Sequence, residues 1–356
     1  MKKTVLALAV AATLAVAGAP ASAVPSDPYL AQQWNLDRIG ASDAWQTTTG
    51  TGAVVAVVDS GIDLTHPDLA TNLLSARDAD FVEPKGKCNG TVCTQDGPQD
   101  ENGHGTHVAG IIAAVSGNGV GVASIAPKAK LLPVRVLDAA GDGTGDLAAG
   151  VRYAATKGAD VINLSLGYPS GAGEAAGLIG QLDDLRSALD FAWQSGSLVV
   201  VAAGNDTAPL CAEPASGHNV ICVGATDRRD LLSGYSNFDA ANVDNYLVAP
   251  GGDGLGTLSL GSSSPTASFC SGDILSTYLR TKSSWCSGEA GYEALSGTSM
   301  AAPHVSGVAA LLAAKGLTNQ QISDCLFRTA EDIGAPGRDP IFGFGLVDAL
   351  GAVTGC

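Results

Sequence analysis

Positive charge is scarce in this chain: 19 lysines and arginines stand against 35 acidic residues, a formal net charge of −16 over 356 residues. So acidic a surface disfavours nucleic acid and anionic membranes as partners, because both would be repelled. It names no substrate, since solubility accounts for the excess equally well. Long apolar runs are also missing beyond the N-terminus. There, in MKKTVLALAVAATLAVAGAPASA, Lys2 and Lys3 precede an apolar stretch from Val5 to Ala17 and small residues at Ala21-Ser22-Ala23. Residues 1–23 therefore read as a secretory signal peptide, whose apolar part is too short to span a bilayer. The expected destination is the extracellular medium or the periplasm.

Paired Cys-x-x-Cys motifs and an HExxH are absent, which argues against zinc. In an exported chain, eight cysteines suggest disulfides. Pairing nearest neighbours gives Cys88–Cys93, Cys211–Cys222, Cys270–Cys286 and Cys325–Cys356, the simplest of many connectivities. No internal repeat is evident, and residues 24–356 suit a single domain. The Gly/Ser-rich stretch 251–291 has little periodicity and reads as a long surface insertion.

Four short apolar runs are present, GAVVAVVDSG (52–61), AKLLPVRVLD (129–138), ADVINLSLG (159–167) and GSLVVVAAGN (196–205). Each ends in small polar residues, as strands buried on both faces do. Helical patterns lie between them at 104–115, 145–158 and 182–196. The alternation predicts an α/β fold, a doubly wound, mostly parallel sheet flanked by helices. Such folds place their sites beyond the carboxyl ends of the strands. Asp59, Ser165-Leu166-Gly167 and Asn205 each stand at such an end.

Ser299, in ALSGTSMAAPHVSGVAALLAAKG, precedes an apolar helical pattern. It is either a helix N-cap or a nucleophile. Pro303 is expected in the first turn, where a missing N–H costs little. A serine nucleophile needs a base and an orienting acid. Of only five histidines, His104 opens a helix and would project into the crevice, whereas His107 should be packed inside. Asp59, closing a buried strand, suits the orienting role; Asp63 and Asp68 suit surface or metal roles better.

The segments VVDSGID, GHGTHVAG, VAAGN and GTSMAAPHVSG, in that order, resemble the signatures of the subtilisin-like serine proteases. Similarity runs from Asp27 to Val353. The resemblance implies a peptidase in which Ser299 attacks, His104 shuttles the proton and Asp59 holds the imidazole. The Asn205 amide and the Ser299 N–H would bind the oxyanion. Protein and peptide substrates would lie as an added strand along Gly143-Thr144-Gly145 and Ser165-Leu166-Gly167. Ala202, Ala203 and Gly204 would wall the pocket for the residue before the cut, with Asp206 nearby. It further implies a Ca²⁺ site from Asp27, Asp68, the Asn118 amide oxygen and the carbonyls of Val115, Val120 and Val122. Without calcium, Gly117–Gly121 would read as an ordinary glycine cap. A second site near Asp80, Asp96 or Asp100 is also conceivable. A monomer is expected.

The family pattern normally includes a propeptide, but only Val24-Pro25-Ser26 separates Ala23 from Asp27. The corresponding expectation is folding without that helper, with disulfides and calcium compensating, or with a helper supplied separately. A secreted esterase would carry G-x-S-x-G ahead of its acid and histidine; here the order is Asp, His, Ser. A catalytically silent binding protein would lack a triad or oxyanion residue, and none is lacking.

Overall fold

The run after Gly52 becomes the middle of a sheet because both of its faces are apolar. In the computed structural model, Val55 and Val57 of strand β1 (Val54–Asp59) join one buried cluster, while Ala56 and Val58 join another on the opposite face. The structure describes residues 26–74, 79–82, 97–143, 146–168, 179–241, 244–254, 272–282 and 289–356. The signal peptide, Thr144, Gly145, Asp96 and the cysteines at 88, 93, 270 and 286 lie outside those residues.

Strands β2 (Ala79–Asp80), β3 (Lys130–Arg135), β4 (Val161–Leu164), β5 (Leu198–Ala202), β6 (Val220–Thr226) and β7 (Tyr246–Pro250) complete a seven-stranded sheet. Its order is β2-β3-β1-β4-β5-β6-β7 and every pairing is parallel, the expected doubly wound arrangement. Each of β1, β3, β4 and β5 is shorter than the sequence run that contains it.

Eight α-helices are described: α1 (Trp34–Arg38), α2 (Ala41–Ala44), α3 (His104–Ala113), α4 (Leu147–Thr156), α5 (Ile179–Gln194), α6 (Thr298–Ala313), α7 (Asn319–Thr329) and α8 (Ala349–Gly355). Apolar residues of α3 and α6 share one buried cluster, and those of α4 and α5 share the other. Helices α3 and α6 therefore lie side by side on one face of the sheet, which brings the starts of both to the same rim.

Two expectations need correction. The stretch 251–291 is not wholly a surface insertion: Ile274–Thr277 forms a buried strand, β8, antiparallel to β9 (Tyr292–Leu295), and packs on α3. Its short apolar run, Ile274-Leu275, was masked by Gly- and Ser-rich surroundings. Helix α3 ends at Ala113 with Ala114 as its C-cap, so the glycines at 117, 119 and 121 do not cap it. They take positive φ in a loop that closes around Asp27. The disulfides Cys211–Cys222 and Cys325–Cys356 are formed as expected.

Candidate active site

Asp59 is the last residue of β1 and His104 the first of α3, so the sheet edge sets one against the other. His104 Nδ1 lies 2.8 Å from Asp59 Oδ1. The carboxylate is fully buried, whereas the imidazole keeps 26% exposure, enough to meet a bound molecule. Asp59 Oδ1 also accepts the Ser60 N–H at 2.7 Å, while Oδ2 has no hydrogen-bond partner among the described residues. Burial pushes the imidazole pKa down, but the Asp59 charge, its hydrogen bond and the Asp100 charge together hold it above the ordinary histidine value. The helix comes this close only because residue 105 is glycine: a Cβ there would stand 2.1 Å from the Gly61 carbonyl oxygen.

His107 points inward as expected, fully buried, with Nε2 3.0 Å from the carbonyls of Ile274 and Glu293.

The structure separates Ser299 from the capping role. Ser299 is the second residue of α6; the N-cap position is Gly297, which has no side chain to offer. The cap comes from another segment, because Asn205 Oδ1 accepts both the N–H and the Oγ–H of Thr298 at 2.9 Å. Those two donors fix which end of the Asn205 amide is oxygen and turn Nδ2 outward. Among the described residues, neither Asn205 Nδ2 nor the Ser299 N–H has a protein acceptor. A methyl group built on Gly297 would lie 3.6 Å from the Ser299 nitrogen and 3.7 Å from Asn205 Nδ2, so both donors border one small space.

Pro303 also stands elsewhere than expected. It is the sixth residue of α6, not part of the first turn. Lacking an N–H, it leaves the carbonyl of residue 299 without its helical partner. Ser165 Oγ takes that place, donating to the Ser299 carbonyl at 2.7 Å. Behind it, Asn163 Nδ2 donates to Ser165 Oγ at 2.9 Å and Ser306 Oγ donates to Asn163 Oδ1 at 2.8 Å, all three side chains buried. The Ser299 hydroxyl itself donates to the Ser165 carbonyl at 3.1 Å and makes no hydrogen bond to His104. Nothing in the sequence pattern singled out Asn163 or Ser306, because both read as ordinary small polar residues.

A cleft of about 620 Å³ runs past His104. Ser165, Leu166, Gly167 and Tyr168 line one side, and residues 140–143 line the other, Gly143 among them. Ala202 and Ala203 are buried behind this surface, and Gly204 donates its N–H to Thr298 Oγ at 3.2 Å. These three residues are absent from the cleft lining; they seat Asn205. Asp206 is exposed beside it.

The residues expected to hold calcium do converge. Asp27 accepts the N–H groups of Gly117, Asn118 and Gly119 at 2.7, 3.1 and 3.3 Å. Asp68 accepts Asn118 Nδ2 at 2.7 Å, the Val122 N–H at 3.0 Å and the Tyr292 hydroxyl at 3.0 Å. Both carboxylates are buried, and neither forms a salt bridge among the described residues. Burial, and then the Asp27 charge, raise the Asp68 pKa. The carbonyls of Val115, Val120 and Val122 accept no hydrogen bond among the described residues. The Asn118 oxygen, however, accepts the Val120 N–H at 2.7 Å while its NH₂ faces Asp68, so a hard cation, which takes oxygen donors, would need that amide to turn and the carboxylates to exchange their present donors for it.

Asp96 lies outside the described residues, and near Asp80 and Asp100 a second metal site has no such support. Asp80 pairs with Arg135 at 3.6 Å, Asp100 is filled by donors, and Asp63 pairs with Arg280 at 3.2 Å. Among the described residues no cluster of three or more His, Cys, Asp or Glu is poised for a metal.

Comparison with known proteins gives the arrangement its context. The Subtilase family model matches residues 50–345. Thermitase of Thermoactinomyces vulgaris is 40% identical over 317 residues, covering 88% of this chain and 94% of the relative. A thermophilic serine proteinase of Bacillus sp. (strain AK1) is 38% identical over 333 residues, covering 93% and 69%. Subtilisin Savinase of Lederbergia lenta is 38% identical over 323 residues, covering 90% and 97%. A solved protease structure from Pseudoalteromonas arctica PAMC 21717 superposes with a TM-score of 0.72 at 32% identity, over 94% of this chain and 99% of that one. The chain belongs to the subtilase family.

Proposed function

We propose that this subtilase is a serine endopeptidase whose catalytic residues are Asp59, His104 and Ser299, with Asn205 in the oxyanion site. The carrying observation is the Asp59–His104 contact at 2.8 Å, at the rim where α6 presents Ser299. In the reaction, Ser299 Oγ leaves the Ser165 carbonyl and gives its proton to His104 Nε2 as it attacks the scissile carbonyl carbon. Asp59 holds Nδ1–H and stabilises the imidazolium. The carbonyl oxygen, now negative, receives the Ser299 N–H and Asn205 Nδ2–H. His104 then protonates the departing amine, leaving an acyl-serine that water hydrolyses by the same relay in reverse.

The cleft between residues 140–143 and 165–168 accepts the peptide as an added strand. Val136, Leu137, Leu147 and Leu166 form the apolar part of a lining that also carries Asn102, Asp142 and Tyr168, and apolar side chains of the substrate would rest on that part. Calcium would be held by Asp27, Asp68, Asn118 and the carbonyls of Val115, Val120 and Val122. It would neutralise two buried charges and tie the segment before α1 to the loop after α3. Export to the extracellular medium follows from the signal-like N-terminus, and no described helix is long and apolar enough to cross a membrane.

The test is hydrolysis of a mixed peptide library, with and without chelator, beside Ser299→Ala. Internal cleavage lost in the variant, with a fluorophosphonate probe labelling only the unsubstituted protein at Ser299, is the expected result. Undiminished cleavage by the variant would refute the assignment. Chelation should lower thermal stability; no change in melting temperature would remove the calcium site.

A further inference from the structure

Asp100 lies four residues before His104 in a run, GPQDENGHG, that gives it no distinction in the sequence. In the fold it is 3% exposed and accepts five hydrogen bonds. Oδ1 takes Ser60 Oγ at 3.0 Å and the N–H groups of Asn102 and Gly103, both at 2.9 Å. Oδ2 takes the Thr106 N–H at 3.0 Å and the Thr106 hydroxyl at 2.6 Å. Every partner is a donor, so the group sits as an anion, although burial raises its pKa against the pull of those donors.

These bonds have a common purpose. The N-cap of α3 is Gly103, which has no side chain to satisfy the first-turn N–H groups. Those groups are met one by one from outside the helix: His104 N by Asn102 Oδ1 at 3.1 Å, Gly105 N by Ser60 Oγ at 3.0 Å, and Thr106 N by Asp100. Ser60 follows Asp59 directly, and its hydroxyl links Asp100 to the second residue of the helix. One buried carboxylate thus gathers the end of β1, the approach loop and the first turn of α3.

We propose that Asp100 is a positioning residue of the catalytic centre: it holds the start of α3 in register with the end of β1, so that His104 faces Asp59, and it places a second negative charge behind the imidazole. The proposal rests on His104 being the base. The charged and titratable groups around this pair are known. Asp59, Asp100 and His107 face His104. Asp59 and Tyr278 adjoin Asp100, whose outer side shares a pocket with Asp63, Glu101, Arg280 and Lys282.

Asp100→Asn tests the role closely. Because both oxygens accept only, the new amide NH₂ meets a donor whichever way it turns. The expected outcome is a fall in kcat of about 10-fold, by loss of orientation, with KM within about twofold. The acid limb of the kcat/KM profile should move to lower pH, because a charge favouring imidazolium is gone. Asp100→Glu should restore the limb without restoring the full kcat. A purely structural role would lower melting temperature and leave the limb where it was; that result, or an unchanged kcat, overturns the proposal. If Asp100→Asn does not fold, Ser60→Ala cuts the link to Gly105 and should lower kcat about threefold at constant KM, by the same loss of orientation. Wild-type kcat there is equally fatal. Ser299→Ala run in parallel separates the two ideas: an active Ser299→Ala defeats the endopeptidase assignment itself, whereas an inactive one with an unmoved Asp100→Asn profile defeats only the positioning role.

Discussion

Pro303 and Ser299 stand four residues apart in one helix, and the N–H that Pro303 lacks is what frees the Ser299 carbonyl for Ser165 Oγ at 2.7 Å. A residue that would ordinarily weaken a helix interior here opens a carbonyl to a buried chain of Ser165, Asn163 and Ser306. The nucleophile is thereby tied through its backbone to the strand end that lines the cleft.

Ser165→Ala should therefore do two things at once. It leaves the Ser299 carbonyl and the Asn163 amide without their partner, at about 1–3 kcal/mol for a buried unsatisfied group. It also loosens Ser299, so kcat should fall while KM changes little. Chemical denaturation and steady-state kinetics check both; an unaltered midpoint with unaltered kcat would discard the chain as a support.

Gly297 has a φ of +151°, and a methyl there would occupy the space bordered by the Ser299 N–H and Asn205 Nδ2. Loss of one oxyanion donor in subtilisin lowers kcat on the order of 10²–10³-fold. Crowding that space through Gly297→Ala should cost at least about 10-fold in kcat, by the same loss of oxyanion stabilisation. Full activity in a folded Gly297→Ala protein would place the oxyanion somewhere else.

Acid should destabilise the fold through its buried histidines. Burial depresses His304 to about 4 and His107 to about 3, against the hydrogen bonds each makes. His304 Nδ1 donates to the Met300 carbonyl at 2.7 Å and Nε2 faces Asn35 Nδ2 at 2.8 Å, an arrangement that fits the neutral ring. Below the ordinary histidine pKa of about 6.5 the unfolded chain gains protons that the folded one refuses. Stability should fall with pH from about 6.5 toward those folded values, by roughly 1.4 kcal/mol per unit for each such histidine. His104 works the other way: its raised pKa adds stability below about 6.5 that fades as pH climbs through the folded value. Melting curves from pH 7.5 to 4.5 should be steeper for the natural protein than for His304→Gln. Parallel curves would show that His304 has no part in acid sensitivity.

The Cys325–Cys356 disulfide fastens α7 to the chain end across a sequence separation of 31, against 11 for Cys211–Cys222. Closing the longer loop should contribute about 4 kcal/mol and the shorter about 3 kcal/mol, in the chain-entropy account. Replacing both cysteines of a pair by serine and measuring the denaturation midpoint gives the comparison. Equal midpoints for the paired variants and the natural protein would show that neither closure constrains the unfolded state.

The parallel sheet and the order of its flanking helices were legible in the sequence, because two-faced burial writes itself as continuous apolar runs with small polar ends. So was the identity of the residues at the rim, since Asp59, Ser165, Asn205 and the start of α6 all sit at ends that topology must bring together. Local pattern could not decide what Ser299 does: its position suited a cap, and only the arrival of Asn205 from β5 relieved it of that role. Nor could it show that Pro303 lies inside the helix, that Ile274–Thr277 is buried, or that Asp100 gathers five donors. Each depends on which distant backbone groups lack a partner, and that is settled when the segments pack, not by their neighbours along the chain.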